Sequence, residues 1–208
     1  ASLMCVPQAP QCVDEPDGGW SDAVAGYAQG KTKAGSDVSA GRSDTSVVPG
    51  TPDWTPGSGT GFYSLGFGGW ITVSFDSYVP NVPGDDISIH EATNGVYPSE
   101  TAKIEVSQTG EDGEWYEVGT AGNNGVSYFD FDSTGLDWIK YVRVTDTTNP
   151  SLHISTADGF DIAAVDATPR AGDACPPRRS PPPRHHGDGW VETPPETLRV
   201  SLRTPSAV

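Results

Sequence analysis

Two acidic turns hold the residues best suited to chemistry in this chain. Gly84-Asp85-Asp86 precedes the strand-like run Ile87-Ser88-Ile89-His90-Glu91, and Asp158-Gly159-Phe160-Asp161 precedes Ile162-Ala163-Ala164-Val165. Carboxylates and backbone carbonyls gathered at strand ends suit a hard cation that takes six to eight oxygens, and calcium is the expected ion. Asp85, Asp86, Glu91, Asp158 and Asp161 are the candidate ligands. Neighbouring side chains on an extended chain point apart, so one of Asp85 and Asp86 is expected to ligate directly and the other to support it. Glu91 lies about 13 Å beyond Ile87 on an extended chain and joins the same ion only if the chain curls. The 158–161 turn, whose Gly159 permits a tight bend, is expected to converge on the first. Asp130, Asp132 and Asp146 rank behind these. The competing reading of every one of them is a solvated or capping Asp turn.

Other chemistry is thinly represented. His90 and His153 are the histidines of the body, and a sheet histidine beside acids is more often structural than catalytic. No G-x-S-x-G or H-E-x-x-H pattern occurs. Paired carboxylates for glycoside cleavage are compatible with so acidic a chain but carry no specific signal. The expectation is a non-catalytic protein, with a glycan-active enzyme as the remote alternative. Trp54 and Tyr97, in polar loops, are candidate sugar-stacking aromatics, with plugging the end of the fold as the competing role for Trp54.

The elements that would position these residues are strands. The 208 residues are rich in Gly, Pro, Ser, Thr and Asp, with Val, Ile and aromatics in short runs. Ile71, Val73 and Phe75 share a face at period two after Gly68-Gly69, which reads as a hairpin joining two strands within 61–75. Lys103–Ser107 and Trp115–Gly119 form a second hairpin, and 126–131, 139–146 and 160–167 read as further strands, with Ile139, Tyr141 and Val142/Val144 competing for the core. A strand over 22–28, a weak one near Val47-Val48 and helix only as short turns, one near Ser99-Glu100-Thr101, complete the pattern. Eight to ten short strands make an all-β antiparallel sandwich of jelly-roll type with long loops. The organisation is an irregular segment 1–16, the sandwich 17–168, a Pro/Arg-rich linker 169–190 and a strand segment 191–208. In that last segment Leu198, Val200 and Leu202 alternate toward one face, as an assembly strand would.

Charge narrows the partners. Residues 1–169 hold 24 acidic against 6 basic side chains, within a formal net charge of −16 for the chain. Such a field repels nucleic acid and anionic membrane surfaces and attracts cations. No apolar stretch approaches 18 residues, so no membrane insertion is expected. Cys5 and Cys12 are spaced for a small disulfide loop, while Cys175 could instead pair with either; their spacing is not that of a zinc site. The opening Ala1-Ser2-Leu3 is compatible with a mature end left by cleavage.

From Lys103-Ile-Glu-Val-Ser through Asp112-Gly113, Trp115 and Val118-Gly119 to Ile139-Lys-Tyr-Val-Arg-Val-Thr145, the chain resembles discoidin-like (F5/8 type C, galactose-binding-like) jelly rolls. With Gly68-Gly69-Trp70, Gly84-Asp85-Asp86 and Asp158–Val165, it also resembles secreted domains of bacterial cell-surface proteins. The resemblance spans residues 17–167. It implies an exported, non-catalytic sandwich that often binds calcium and sometimes glycan. The expected function is therefore a calcium-stabilised binding, adhesion or structural module at a cell surface or in a matrix, self-assembling into a homopolymeric filament by strand addition. The alternative is a carbohydrate-binding module.

Overall fold

A computed structural model describes residues 19–92, 98–123 and 125–168. Cys5, Cys12, Tyr97, Cys175 and the alternating Leu198, Val200 and Leu202 lie outside the described residues.

Among the described residues nine strands form two antiparallel sheets: β1 (Ala23–Ala28), β2 (Tyr63–Ser64), β3 (Trp70–Pro80), β4 (Ile87–Glu91), β5 (Thr101–Ser107), β6 (Tyr116–Gly122), β7 (Val126–Phe129), β8 (Trp138–Asp146) and β9 (Asp161–Ala167). One sheet has the order β1-β3-β8-β5-β6, the other β2-β9-β4-β7. Among the described residues the chain crosses between sheets at every connection except β5 to β6, as in a jelly roll.

The core lies between the sheets and follows the period-two pattern. Ile71, Val73 and Phe75 of β3, and Ala102, Ile104 and Val106 of β5, face Ile87 and Ile89 of β4 and Ile162 and Val165 of β9. In β8 the inward set is Ile139, Val142 and Val144, with Tyr141 only partly buried. Pairing slips between Ser74 and Val79 on the neighbouring strand, and this bulge shifts the phase between Ile139 and Val142.

Three local expectations are corrected. Gly68-Gly69 does not close a hairpin: β2 pairs with β9 in one sheet and β3 with β1 and β8 in the other. Gly66 and Gly69 instead let this crossover press against the segment at Gly30, while a Cβ on Gly68 would meet nothing within 4 Å. A Cβ on Gly69 would stand 1.9 Å from the Leu65 carbonyl oxygen, and one on Gly66 would stand 2.4 Å from the Gly30 carbonyl carbon. The weak strand near Val47-Val48 is a 3-10 turn, Thr45–Val47, because the Asp44 side chain accepts from the Ser46 N–H and caps it; Val48 is then driven into the core. Ser99-Glu100-Thr101 is not helical. Thr101 opens β5, and short 3-10 turns occur instead at 40–42, 45–47, 132–134 and 150–152.

Gly69→Ala is expected to destabilise the protein by about 3 kcal/mol or more, since backbone rather than a movable side chain blocks the new methyl. Urea unfolding measures it, and a loss below about 1 kcal/mol would show that the crossover yields easily.

Candidate functional site

The long loop between β1 and β2 carries a basic side chain into the most acidic part of the body. Gln29 Nε2 donates to the Arg42 carbonyl at 3.3 Å and to the Ser64 carbonyl at 2.8 Å. The Lys33 and Ala34 N–H groups donate to the Ala157 and Ser155 carbonyls at 2.9 and 3.0 Å. The 3-10 turn Ala40–Arg42 thus arrives beside the turn that leads into β9. There Arg42 Nη1 donates to both carboxylate oxygens of Asp158, at 2.8 and 2.9 Å, and lies 4.0 Å from Asp161 Oδ2. Its guanidinium carbon rests 4.9 Å from the centre of the Phe62 ring.

Five carboxyl groups gather at this end, none more than 7% exposed: Glu100 and, facing it, Glu91, Asp146, Asp158 and Asp161. Each comes from a strand end or turn. Asp146, last in β8, accepts the Phe160 and Gly68 N–H groups, both at 2.9 Å, and so fastens two turns together. Asp161, first in β9, accepts from the Ser64 hydroxyl. Glu91, last in β4, reaches the same end because β4 runs antiparallel to β9 and is paired there with Ile162.

Glu100 immediately precedes β5. Its Oε1 lies 3.8 Å from His153 Nδ1, and its buried Oε2 has no hydrogen-bond partner among the described residues. Burial pushes the Glu100 carboxyl up to about 8, helped by the negative charges of Asp161, Glu91, Asp158 and Asp146. Burial likewise pushes Asp161 to about 7; Asp158 and Glu91 add to the rise, while the Ser64 hydrogen bond and Arg42 oppose it. Asp146 is raised chiefly by burial, against the amide bonds it accepts.

Arg42, Glu100, His153, Asp158 and Asp161 line a cavity of about 340 Å³. Leu152 and Ile154, 58% and 69% exposed, form an apolar part of its wall.

The structure separates the expected metal ligands into two groups. Glu91, Asp158 and Asp161 come together here. Asp85 and Asp86 sit at the other end of β4, about 16 Å away at the rise of an extended strand, so the two acidic turns do not converge. Asp85 is exposed. Asp86 is fully buried, and its oxygens accept the Val82 and Phe131 N–H groups at 3.0 and 3.2 Å. Burial pushes Asp86 to about 6, and the charges of Asp130 and Asp132 contribute. It acts as a clasp between the β3–β4 loop and the segment after β7.

Among the described residues no three His, Cys, Asp or Glu side chains are arranged to hold a metal ion. At the Asp158–Asp161 turn Arg42 lies beside both Asp158 oxygens and 4.0 Å from Asp161 Oδ2. Trp54 packs against Phe62, Ala92 and Ala163 and is only partly exposed. His90 bonds Ser88 Oγ at 3.2 Å and packs its ring, tilted by 57°, 5.0 Å from that of Trp20, with its pKa lowered by burial, which is a structural role.

Arg42 and Glu100 were not among the residues singled out from the sequence. The available signal for Arg42 was scarcity: it is one of six basic side chains in residues 1–169 and the one in the long polar loop besides Lys31 and Lys33. Glu100 gave no signal, since its burial depends on where β5 begins.

Unfolded Glu and Asp titrate near 4.5 and 3.8, so the folded protein holds protons on Glu100 and Asp161 that the unfolded chain has lost. Their contribution to stability is complete below those values and falls as pH rises through about 7 to 8. The melting temperature is therefore expected to drop by several degrees between pH 5.5 and 8.5, and Glu100→Gln to flatten that slope; an unchanged slope in the variant would place the titration elsewhere. With Arg42 between the carboxylates, EDTA is expected to leave the melting temperature unchanged, and a fall of several degrees that calcium restores would assign a bound cation.

No family model and no curated protein sequence matches the chain. Among solved structures it is similar to the CBM32 module of AlyQ in complex with 4,5-unsaturated mannuronic acid, at 17% identity over 49% of this chain and 71% of that one, with a TM-score of 0.34. It is similar to a CBM32 module of a GH89 protein from Clostridium perfringens, at 16% identity over 50% and 71%, TM-score 0.35. A third is the C-terminal domain of a chitobiase from Bacteroides fragilis, at 13% identity over 74% and 96%, TM-score 0.43.

Proposed function

We propose that this chain is a non-catalytic, extracellular carbohydrate-binding module whose ligand sits in the cavity beside Arg42. The observation that carries this reading is the composition of that cavity: charged and polar groups on a rigid floor, with exposed aliphatic side chains at Leu152 and Ile154. A sugar has the matching two-sided chemistry. Its hydroxyls exchange hydrogen bonds with carboxyl oxygens and guanidinium N–H groups, and its C–H faces lie against apolar side chains. The floor is held by strand ends and by the Arg42–Asp158 pair, so the ordering cost of binding is small.

The chain carries no nucleophile motif, and it has few basic groups with which to hold nucleic acid. No helix among the described residues is long and apolar enough to cross a membrane. A calcium-stabilised or fibre-forming version of the function has less support. Asp85 and Asp86 are remote from Glu91, and the strand-like segment at Leu198, Val200 and Leu202 lies outside the described residues.

The test is a glycan array followed by calorimetry on the best ligand, with Leu152→Ser/Ile154→Ser as the variant. Both side chains are exposed, so the melting temperature should hold while affinity falls about tenfold, the scale of losing one side chain's apolar contact. Absence of any glycan ligand, or full affinity in the double variant, would overturn the assignment.

A further inference from the structure

The cavity presents three carboxyl groups against one guanidinium. Asp158 already engages both of its oxygens with Arg42, and Asp161 accepts from Ser64. Glu100 differs. It is 5% exposed, it lines the cavity, and its Oε2 has no hydrogen-bond partner among the described residues. A buried oxygen without a donor is costly, and an arriving donor recovers that cost as binding energy.

The groups facing Glu100 select the kind of donor. Asp161 stands at the start of β9, Asp158 in the turn before it, Asp146 at the end of β8 and Glu91 at the end of β4, all acidic. His153 approaches from the segment after the 150–152 turn, and Arg42 has its charge committed to Asp158. A ligand carboxylate would meet a lining of acidic side chains and a guanidinium already paired with Asp158. A neutral hydroxyl would satisfy Oε2 without displacing the proton that Glu100 holds at pH 7. A primary ammonium supplies both the donor and the charge. The strongly anionic body would also raise the local concentration of such a cation.

Building on the carbohydrate-binding reading, we propose that the cavity takes an amino sugar with a free, protonated amine, and that Glu100 Oε2 accepts a hydrogen bond from that ammonium. N-acetylation of the ligand removes the charge and two of the three donors, so acetylated and free forms of one sugar differ in the features that matter here. Uronic acids are excluded by the same field that attracts the amine.

The test is calorimetry at pH 7 with the whole chain and three short oligosaccharides: glucosamine, N-acetylglucosamine and galacturonate. The free-amine oligomer is expected to bind about tenfold more tightly than the acetylated one, the worth of one charge-assisted hydrogen bond. Glu100→Gln should remove that preference, whereas Asp85→Asn, on the exposed turn at the far end of β4, should keep it. An equal preference lost in Asp85→Asn would mark diffuse attraction to the acidic surface and overturn the assignment to Glu100. Acetylated or acidic oligomers binding as well as the amine would overturn the amine inference and leave the carbohydrate reading standing. If no oligosaccharide binds on the array or in calorimetry, the two fall together.

Discussion

The bidentate contact between Arg42 and Asp158 is the interaction on which this end of the sandwich depends. Five carboxyl groups converge there with little access to water, and mutual repulsion in a poorly polarisable setting would otherwise splay the turns. Three devices relieve it. Arg42 neutralises Asp158, backbone amides from Gly68 and Phe160 satisfy Asp146, and protons are retained on Glu100 and Asp161. Only the first brings in a charge from a distant part of the sequence, 116 residues away. That contact therefore fastens the long loop after β1 to the turn before β9 and gives the cavity a wall.

The same architecture explains why residues so far apart in the chain share a site. β8 and β9, in different sheets, are joined by the segment that supplies Leu152, His153, Ile154 and Asp158, while β4 and β5 deliver Glu91 and Glu100 from the opposite sheets. Antiparallel pairing places the end of one strand beside the start of the next. A stiff core of interdigitated aliphatic side chains holds those ends, so the loops need little internal structure of their own.

Acidic residues of similar sequence context perform unlike work here. Asp85 and Asp86 are neighbours, yet one faces solvent and the other is a fully buried clasp on two backbone amides. Asp146 staples two turns, Asp158 holds a guanidinium, and Glu100 keeps an oxygen in reserve. Composition alone describes all of them as anionic surface, and a divalent ion is the natural inference from that description. At the 158–161 turn the cationic partner of Asp158 is a side chain of the protein itself, Arg42.

Strands whose apolar residues alternate were legible from the chain: Ile71, Val73 and Phe75 in β3 and Ile104 and Val106 in β5 point where period two directs them, and the β5–β6 hairpin follows from its Gly/Asp turn. The pattern sufficed there because a strand buried on one face leaves a local record of burial. Gly68-Gly69 looks like a hairpin turn in the sequence because a hairpin and a crossover between sheets demand the same small residues, and only the close approach of Gly66 and Gly69 to Gly30 distinguishes them. The phase of β8 depended on a bulge in its neighbour, and the burial of Glu100 on where β5 begins. The amino-acid sequence by itself determined an anionic, all-strand body with acidic turns at its strand ends. Tertiary structure alone decided which carboxylates meet, and that the Arg42 guanidinium pairs with Asp158 beside them, because long-range pairing and loop packing leave no periodic trace in the residues they join.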